Sequence, residues 1–218
     1  MAAANLAVGN PAGAPLIEVS LGGLTVECRE GAVSFAIAGG GFIVDHAGRK
    51  TGSWQIATLR AGETLVLRPG PWGAWSYLAF AGQLQAADWL GAKATHSQSG
   101  FGGGKLSNGG RLDVANPRVL SDRPLPCPPF ARPPREIRAT LGPQDRFFTA
   151  EQIASLENAV WRLSAAYDRM GVRLSGPKLL PDAPLDMPSE PVARGSVQVA
   201  GDGVATVLLA DHQTTGGY

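Results

Sequence analysis

Residues 16–37, LIEVSLGGLTVECREGAVSFAI, point to the fold class. Val19 and Leu21, then Leu24, Val26 and Cys28, alternate with other residues as half-buried strands do. Gly22-Gly23 and Glu30-Gly31 break the run where turns are needed. The stretch therefore predicts three short strands, at 16–21, 24–28 and 33–37. The same pattern further along predicts strands at 42–45, 53–59, 64–67 and 75–81, with turns at 61–63 and 68–74. Closely spaced strands of this kind belong to a barrel or a sandwich. Ahead of them, AAANLAV followed by Gly9 reads as the tail of a helix stopped by glycine.

Composition agrees with a β-rich globular chain. The sequence has 218 residues, 44% of them hydrophobic, with 29 glycines and 17 prolines. The length allows one large domain or two small ones. A net charge of +1 gives no electrostatic case for nucleic acid or an anionic membrane. No apolar run approaches the ~20 residues that span a bilayer. The N-terminus has no basic segment ahead of an apolar one, so it does not read as a signal peptide, and the expected location is cytoplasmic. Cys28 and Cys127 are far apart and read as two thiols, with a single bridge as the alternative.

Residues 95–110, THSQSGFGGGKLSNGG, are too glycine-rich for the interior of an element and predict a loop. From Asn116 to Pro134 seven of nineteen residues are proline, which fixes an extended chain and removes donors. The domain boundary falls here: a first β-rich lobe over 1–116, a linker over 117–135 and a second β-rich lobe over 136–218. In the second lobe EIRATLGP reads as a strand. Thr149 with Gln152 three residues on fits a capping box, and Ile153, Leu156 and Val160 follow at helical spacing, predicting a short helix from Ala150 to about Asn158. Strands resume at 161–164, 172–175, 196–199 and 205–209.

Few motifs carry chemistry. A phosphate loop needs Gly, four residues, then Gly-Lys-Ser/Thr. Here Ser99 holds the first position and Leu106 follows Lys105, so the pattern fails. Gly102 and Gly103 instead read as part of a flexible or substrate-covering loop. His46, His96 and His212 lack ligand spacing and there is no Cys-x-x-Cys, so no metal is expected. No Gly-x-Ser-x-Gly elbow supports a serine nucleophile. Two constellations remain. One is Asp168-Arg169 on a turn between strands, ahead of Gly171, which also reads as a plain solvated turn. The other is Asp211, Gln213, Thr214, Thr215, Gly216 and Gly217 after an apolar strand. Short hydroxyls and free amides there suit a carboxylate or oxyanion; an ordinary strand-end turn is the alternative.

Taken together, LGPQDRFF, YDRMGVRLSGP, SEPVARGSVQV and LLADHQTTGGY resemble, in this order, the biotin-dependent carboxyltransferase / allophanate hydrolase subunit 2 family. ANLAVGNPAGAPLIEVSLGG, YLAFAG and WLGAKATHSQSGFGG extend the resemblance over almost the whole chain. That family includes the C subunit of 5-oxoprolinase and the carboxyltransferase region of urea carboxylase. Its members usually have a further segment ahead of the first helix and further strands after Thr-Thr-Gly-Gly-Tyr, so the sequence reads as truncated at both ends. Where the family commonly has Ser-Asp-Arg-Met-Gly, this chain has Tyr167 before Asp168; where it often has Ser-Glu-Gly, this chain has Ser189-Glu190-Pro191.

The resemblance implies a mostly β protein, with two cyclophilin-like β-barrel lobes and a few short helices, and a substrate groove between the lobes. It implies one component of an ATP-dependent 5-oxoprolinase complex, an amidohydrolase opening the 5-oxoproline lactam to glutamate. Its partners there would be a cyclophilin-like B subunit and an A subunit. Such chemistry needs a cation for the substrate carboxylate, assigned to Arg169, and donors for an oxyanion, assigned to Gln213–Gly217. Asp168 or Asp211 would hold Arg169 or orient water, and Gln198 would contact the substrate amide. ATP would bind at an interface or on a partner. The alternatives are carboxyl transfer to urea or a related amide, with biotin on a separate chain, and a non-catalytic regulatory partner.

Overall fold

The computed structural model describes residues 1–96, 99–182 and 188–216. The chain divides into two compact units, Met1–Ile137 and Arg138–Tyr218. Each is mostly β, with few and short helices.

The first unit opens with helix α1 (Ala2–Ala7). Eight strands follow: β1 (Ile17–Val19), β2 (Leu24–Glu27), β3 (Ala32–Gly39), β4 (Ile43–His46), β5 (Arg49–Gly52), β6 (Gln55–Arg60), β7 (Thr64–Arg68) and β8 (Ser76–Phe80). Five two-residue strands complete it: β9 (Gln83–Leu84), β10 (Thr95–His96), β11 (Phe101–Gly102), β12 (Val114–Ala115) and β13 (Arg123–Pro124). One sheet has the order β1-β8-β3-β6-β13 and another β2-β7-β4-β5. β3 is buried on both faces because its side chains alternate. Phe35 and Ile37 pack with Phe42, Leu65, Leu67 and Leu78. Ala36 and Ala38 face Ala4 and Val8, small residues that let the helix lie close to the sheet. Full burial of each large apolar side chain contributes about 1.5–3 kcal/mol.

Most predicted strands stand within a residue or two of their expected ends, as element boundaries usually do. β5 was not expected: Arg-Lys-Thr-Gly has no apolar alternation, and only its pairing with β4 makes it a strand. The 95–110 loop contains the β10–β11 hairpin, closed by backbone pairing rather than side-chain burial. The proline-rich stretch, expected as a linker, is bonded into the first unit. Ser34 N–H donates to Arg118 O (2.9 Å), Leu120 N–H to Ser34 Oγ (2.8 Å) and Leu125 N–H to Trp54 O (2.7 Å), so a prolyl chain forms the sheet edge where its missing donors cost nothing.

The second unit contains helix α2 (Ala150–Asn158) and strands β14 (Arg162–Tyr167), β15 (Gly171–Ser175), β16 (Glu190–Pro191), β17 (Val197–Val199), β18 (Ala205–Leu208) and β19 (Thr215–Gly216). Its main sheet has the order β14-β15-β18-β17, and β16 pairs with β19. The expected capping box is present: Thr149 Oγ1 accepts Gln152 N–H (3.2 Å) and Gln152 Oε1 accepts Thr149 N–H (3.0 Å). Gln152 also donates to Leu180 O. EIRATLGP is not a strand. Ile137 is largely exposed and the segment has no sheet partner, so its β-type side chains have nothing to pack on. Val172, Leu179, Ala205 and Leu208 form the buried apolar set of this unit among the described residues.

Candidate functional site

Antiparallel pairing in the second unit brings the sequence motifs together. β14 and β15 form a hairpin with Asp168-Arg169-Met170 at its tip. Asp168 shapes this tip: its Oδ1 accepts the N–H groups of Met170 (2.7 Å) and Gly171 (3.3 Å), and its own N–H donates to Gly171 O (3.1 Å). This is a local Asx-type turn. Asp168 is therefore a turn former, and Asp211 is the residue that holds Arg169.

The hairpin continues the β15–β18 ladder past its ends. Leu209 N–H donates to Met170 O and Asp211 N–H to Arg169 O, both at 2.8 Å. That places the Asp211 carboxylate against the guanidinium. Arg169 Nε lies 2.7 Å from Oδ2 and Nη2 3.0 Å from Oδ1, a bidentate ion pair. The side chains are 33% and 19% exposed. The pair fixes the guanidinium plane, as forked carboxylate contacts do. Next to it, burial pushes the Tyr167 phenol above its usual range.

The terminal motif turns back on β16. Glu190 stands opposite Gly216 and Pro191 opposite Thr215, and Val192 N–H donates to Thr214 O (3.1 Å). Pro191 has no N–H, and its neighbour Val192 supplies the bond instead. Successive positions on such a pair address opposite faces. Thr215 and Gly216 therefore do not share a face, and the two threonine hydroxyls are not side by side as a single cradle. A Cβ on Gly216 would lie 3.2 Å from Val192 Cγ1 and 3.5 Å from Gln198 Nε2, so glycine lets this strand approach Gln198. Gln198 Oε1 in turn accepts Gln213 Nε2–H at 2.7 Å.

Two residues without a role in the sequence motifs also enter. Gln144, before the 3-10 turn Asp145–Phe147, donates from Nε2 to Glu190 Oε2 at 3.0 Å. Both lie in family-like strings, LGPQDRFF and SEP, and a partner 46 positions away leaves no local signal. Gly217 lies outside the described residues. Gly102 and Gly103 belong to the first unit, in the β10–β11 hairpin. There Gly102 has φ +96° and a Cβ on it would overlap the Ala94 carbonyl, so its backbone requires glycine for a structural reason.

Among the described residues no group of three His, Cys, Asp or Glu could hold a metal ion, and no helix is long and apolar enough to cross a membrane. Cys28 and Cys127 are free thiols. The residues around Gly104-Lys105 do not fit a nucleotide triphosphate: the hairpin runs into irregular chain, not into the helix whose N-terminal amides would hold phosphates.

Comparison with known proteins identifies relatives over almost the whole chain. The chain is 36% identical over 220 residues to the 5-oxoprolinase C subunit of Escherichia coli (strain K12), covering 99% of this chain and 70% of that protein. It is 31% identical over 185 residues to a putative urea carboxylase of Emericella nidulans, covering 80% of this chain and 15% of that one. The crystal structure of TTHA0988 superposes with a TM-score of 0.80 at 34% identity, over 100% of this chain and 43% of the other. The chain thus spans less than half of that solved structure. The profile of the carboxyltransferase domain, subdomain A and B, matches residues 1–218, and the chain belongs to that family.

Proposed function

We propose that this chain is part of a 5-oxoprolinase C subunit, acting in a multi-subunit, ATP-dependent complex that hydrolyses the 5-oxoproline lactam to glutamate. The observation that carries this reading is the 36% identity to the Escherichia coli C subunit over nearly the whole chain. The clustered motifs of the second unit support it, because a small anionic amide needs both a cation and amide-complementary groups. In this reading Arg169, its plane held by Asp211, faces the substrate carboxylate. Gln198 and Gln213 meet the amide, and the Thr214–Gly217 segment supplies donors to the developing oxyanion. Asp168 keeps the hairpin tip in shape. Gly102 and Gly103 shape the β10–β11 loop of the first unit. The loop around Gly104-Lys105 does not fit a phosphate-binding loop, so ATP would bind at an interface or on a partner, the A subunit or the cyclophilin-like B subunit. The complex is cytoplasmic.

The test is reconstitution of the full-length protein with its partners and measurement of ATP-dependent glutamate release from 5-oxoproline. Arg169→Ala should lower turnover far more than tenfold with assembly intact. A loss below tenfold, about 1.4 kcal/mol, overturns the role of Arg169. No glutamate release from the wild-type complex overturns the function.

The family profile and the likeness to a putative urea carboxylase favour a second reading, carboxyl transfer from biotin on a separate chain to urea or a related amide. Incorporation of labelled bicarbonate into the amide in the presence of a biotinylated carrier, without glutamate release, would select it.

A further inference from the structure

We infer that Glu190, oriented by Gln144, is the acceptor for the ring N–H of the lactam and so sets specificity for an amide over an ester. This deepens the 5-oxoprolinase reading and rests on it. Glu190 sits on β16, directly opposite Gly216, and directly opposed residues direct their side chains to the same face of a strand pair. The Cβ direction of Gly216 points to Gln198 and Val192. Glu190 therefore shares its face with Gln198, which is bonded to Gln213. Gly216 contributes no side chain, so Glu190, Val192 and Gln198 share this face around a position without a Cβ, with Gln213 bonded to Gln198.

The chemistry of that face matches a lactam. A carboxylate accepts hydrogen bonds and donates none, whereas a carboxamide does both. A lactam presents one N–H and one C=O on adjacent atoms. The glutamine pair can complement the C=O; the carboxylate is matched to the N–H. Gln144 Nε2 binds Oε2 of Glu190 at 3.0 Å, while Oε1 has no hydrogen-bond partner among the described residues. Glu190 is half-buried, so its carboxylate is partly shielded from competing water. The substrate carboxylate, on the carbon next to the ring nitrogen, is left to Arg169. Gln144 acts through Glu190 and is a positioning residue.

The experiment measures dissociation constants of the full-length protein in its complex for two probes: 5-oxoproline, and the γ-lactone acid in which oxygen replaces the ring N–H. Wild type should prefer the lactam, by about tenfold or more for a hydrogen bond to a charged group. Glu190→Met should erase most of that preference and leave lactone affinity within about twofold, because a polar site discriminates through the group it is built to pair. Glu190→Gln, which keeps an acceptor, should restore part of it, and Gln144→Met should weaken lactam binding alone. A variant that loses lactam and lactone equally shows a structural role and overturns the inference. Equal wild-type affinity for the two probes also overturns it. A wild-type complex that binds neither overturns the 5-oxoprolinase reading itself.

Discussion

Breaking the Arg169–Asp211 pair should loosen the junction between the hairpin tip and the terminal motif. Hydrogen bonds to charged groups contribute ~1.5–3 kcal/mol when well shielded, whereas exposed ion pairs contribute ~0.2–1 kcal/mol. With side chains 33% and 19% exposed, and with forked geometry, the pair should contribute about 1–2 kcal/mol. That is roughly a 5–30-fold change in the local opening equilibrium. The assay is amide hydrogen exchange at Leu209 and Asp211, whose N–H groups bond Met170 O and Arg169 O. Arg169→Leu, Asp211→Ala and the double variant in the full-length protein close a cycle that isolates the pairwise contribution. The coupling should shrink in about 1 M salt, because partly exposed charges are screened. A coupling below about 0.3 kcal/mol, the limit of simple additivity, would show that the ion pair does not hold the junction.

Three other outcomes follow from particular contacts. Thr214→Val should cost ~10²–10³ in rate if its hydroxyl is an oxyanion donor. Thr215→Val, on the opposite face of β19 from Gly216, should cost much less, and equal losses in steady-state assays would contradict the alternation. Glu63 is held below its ordinary 4.5 first by the Arg60 N–H and then by a side-chain bond to His46. A depressed carboxylate stabilises the fold above its unfolded pKa and loses that contribution as pH falls through its folded value. Glu63→Gln should therefore flatten the loss of first-unit stability below about pH 4.5, as followed by denaturant melts at stepped pH; an unchanged slope would remove Glu63 as a contributor. Gly102→Ala should disrupt the β10–β11 hairpin, where Gly103→Ala, with its nearest neighbour 3.1 Å away at Lys93 O, should disturb it less. Exchange rates of the hairpin amides compare the two.

Features with a local cause were legible in the amino-acid order alone. Alternating apolar residues separated by Gly-Gly and Glu-Gly need only their neighbours to form strands, so β1, β2 and β3 could be read directly. The Thr149–Gln152 box closes over three residues, so the start of α2 was legible. The family-like motifs likewise marked Arg169 and Asp211 as worth attention, because each lies in a short distinctive string. The pairings came from folding. Whether Asp168 or Asp211 holds Arg169 depends on a ladder extended between β15 and β18; Arg169 and Asp211 are 42 positions apart, and an Asx turn uses the nearer aspartate first. EIRATLGP has strand-forming side chains, yet it found no edge to pair with, because β propensity is realised only against a partner. Arg49–Gly52 has no apolar alternation and became a strand because β4 offered a partner. Glu190 met Gly216 because two-residue strands pair across the chain, and Gln144 reached Glu190 by a side-chain bond; contacts over such separations leave no periodicity to read.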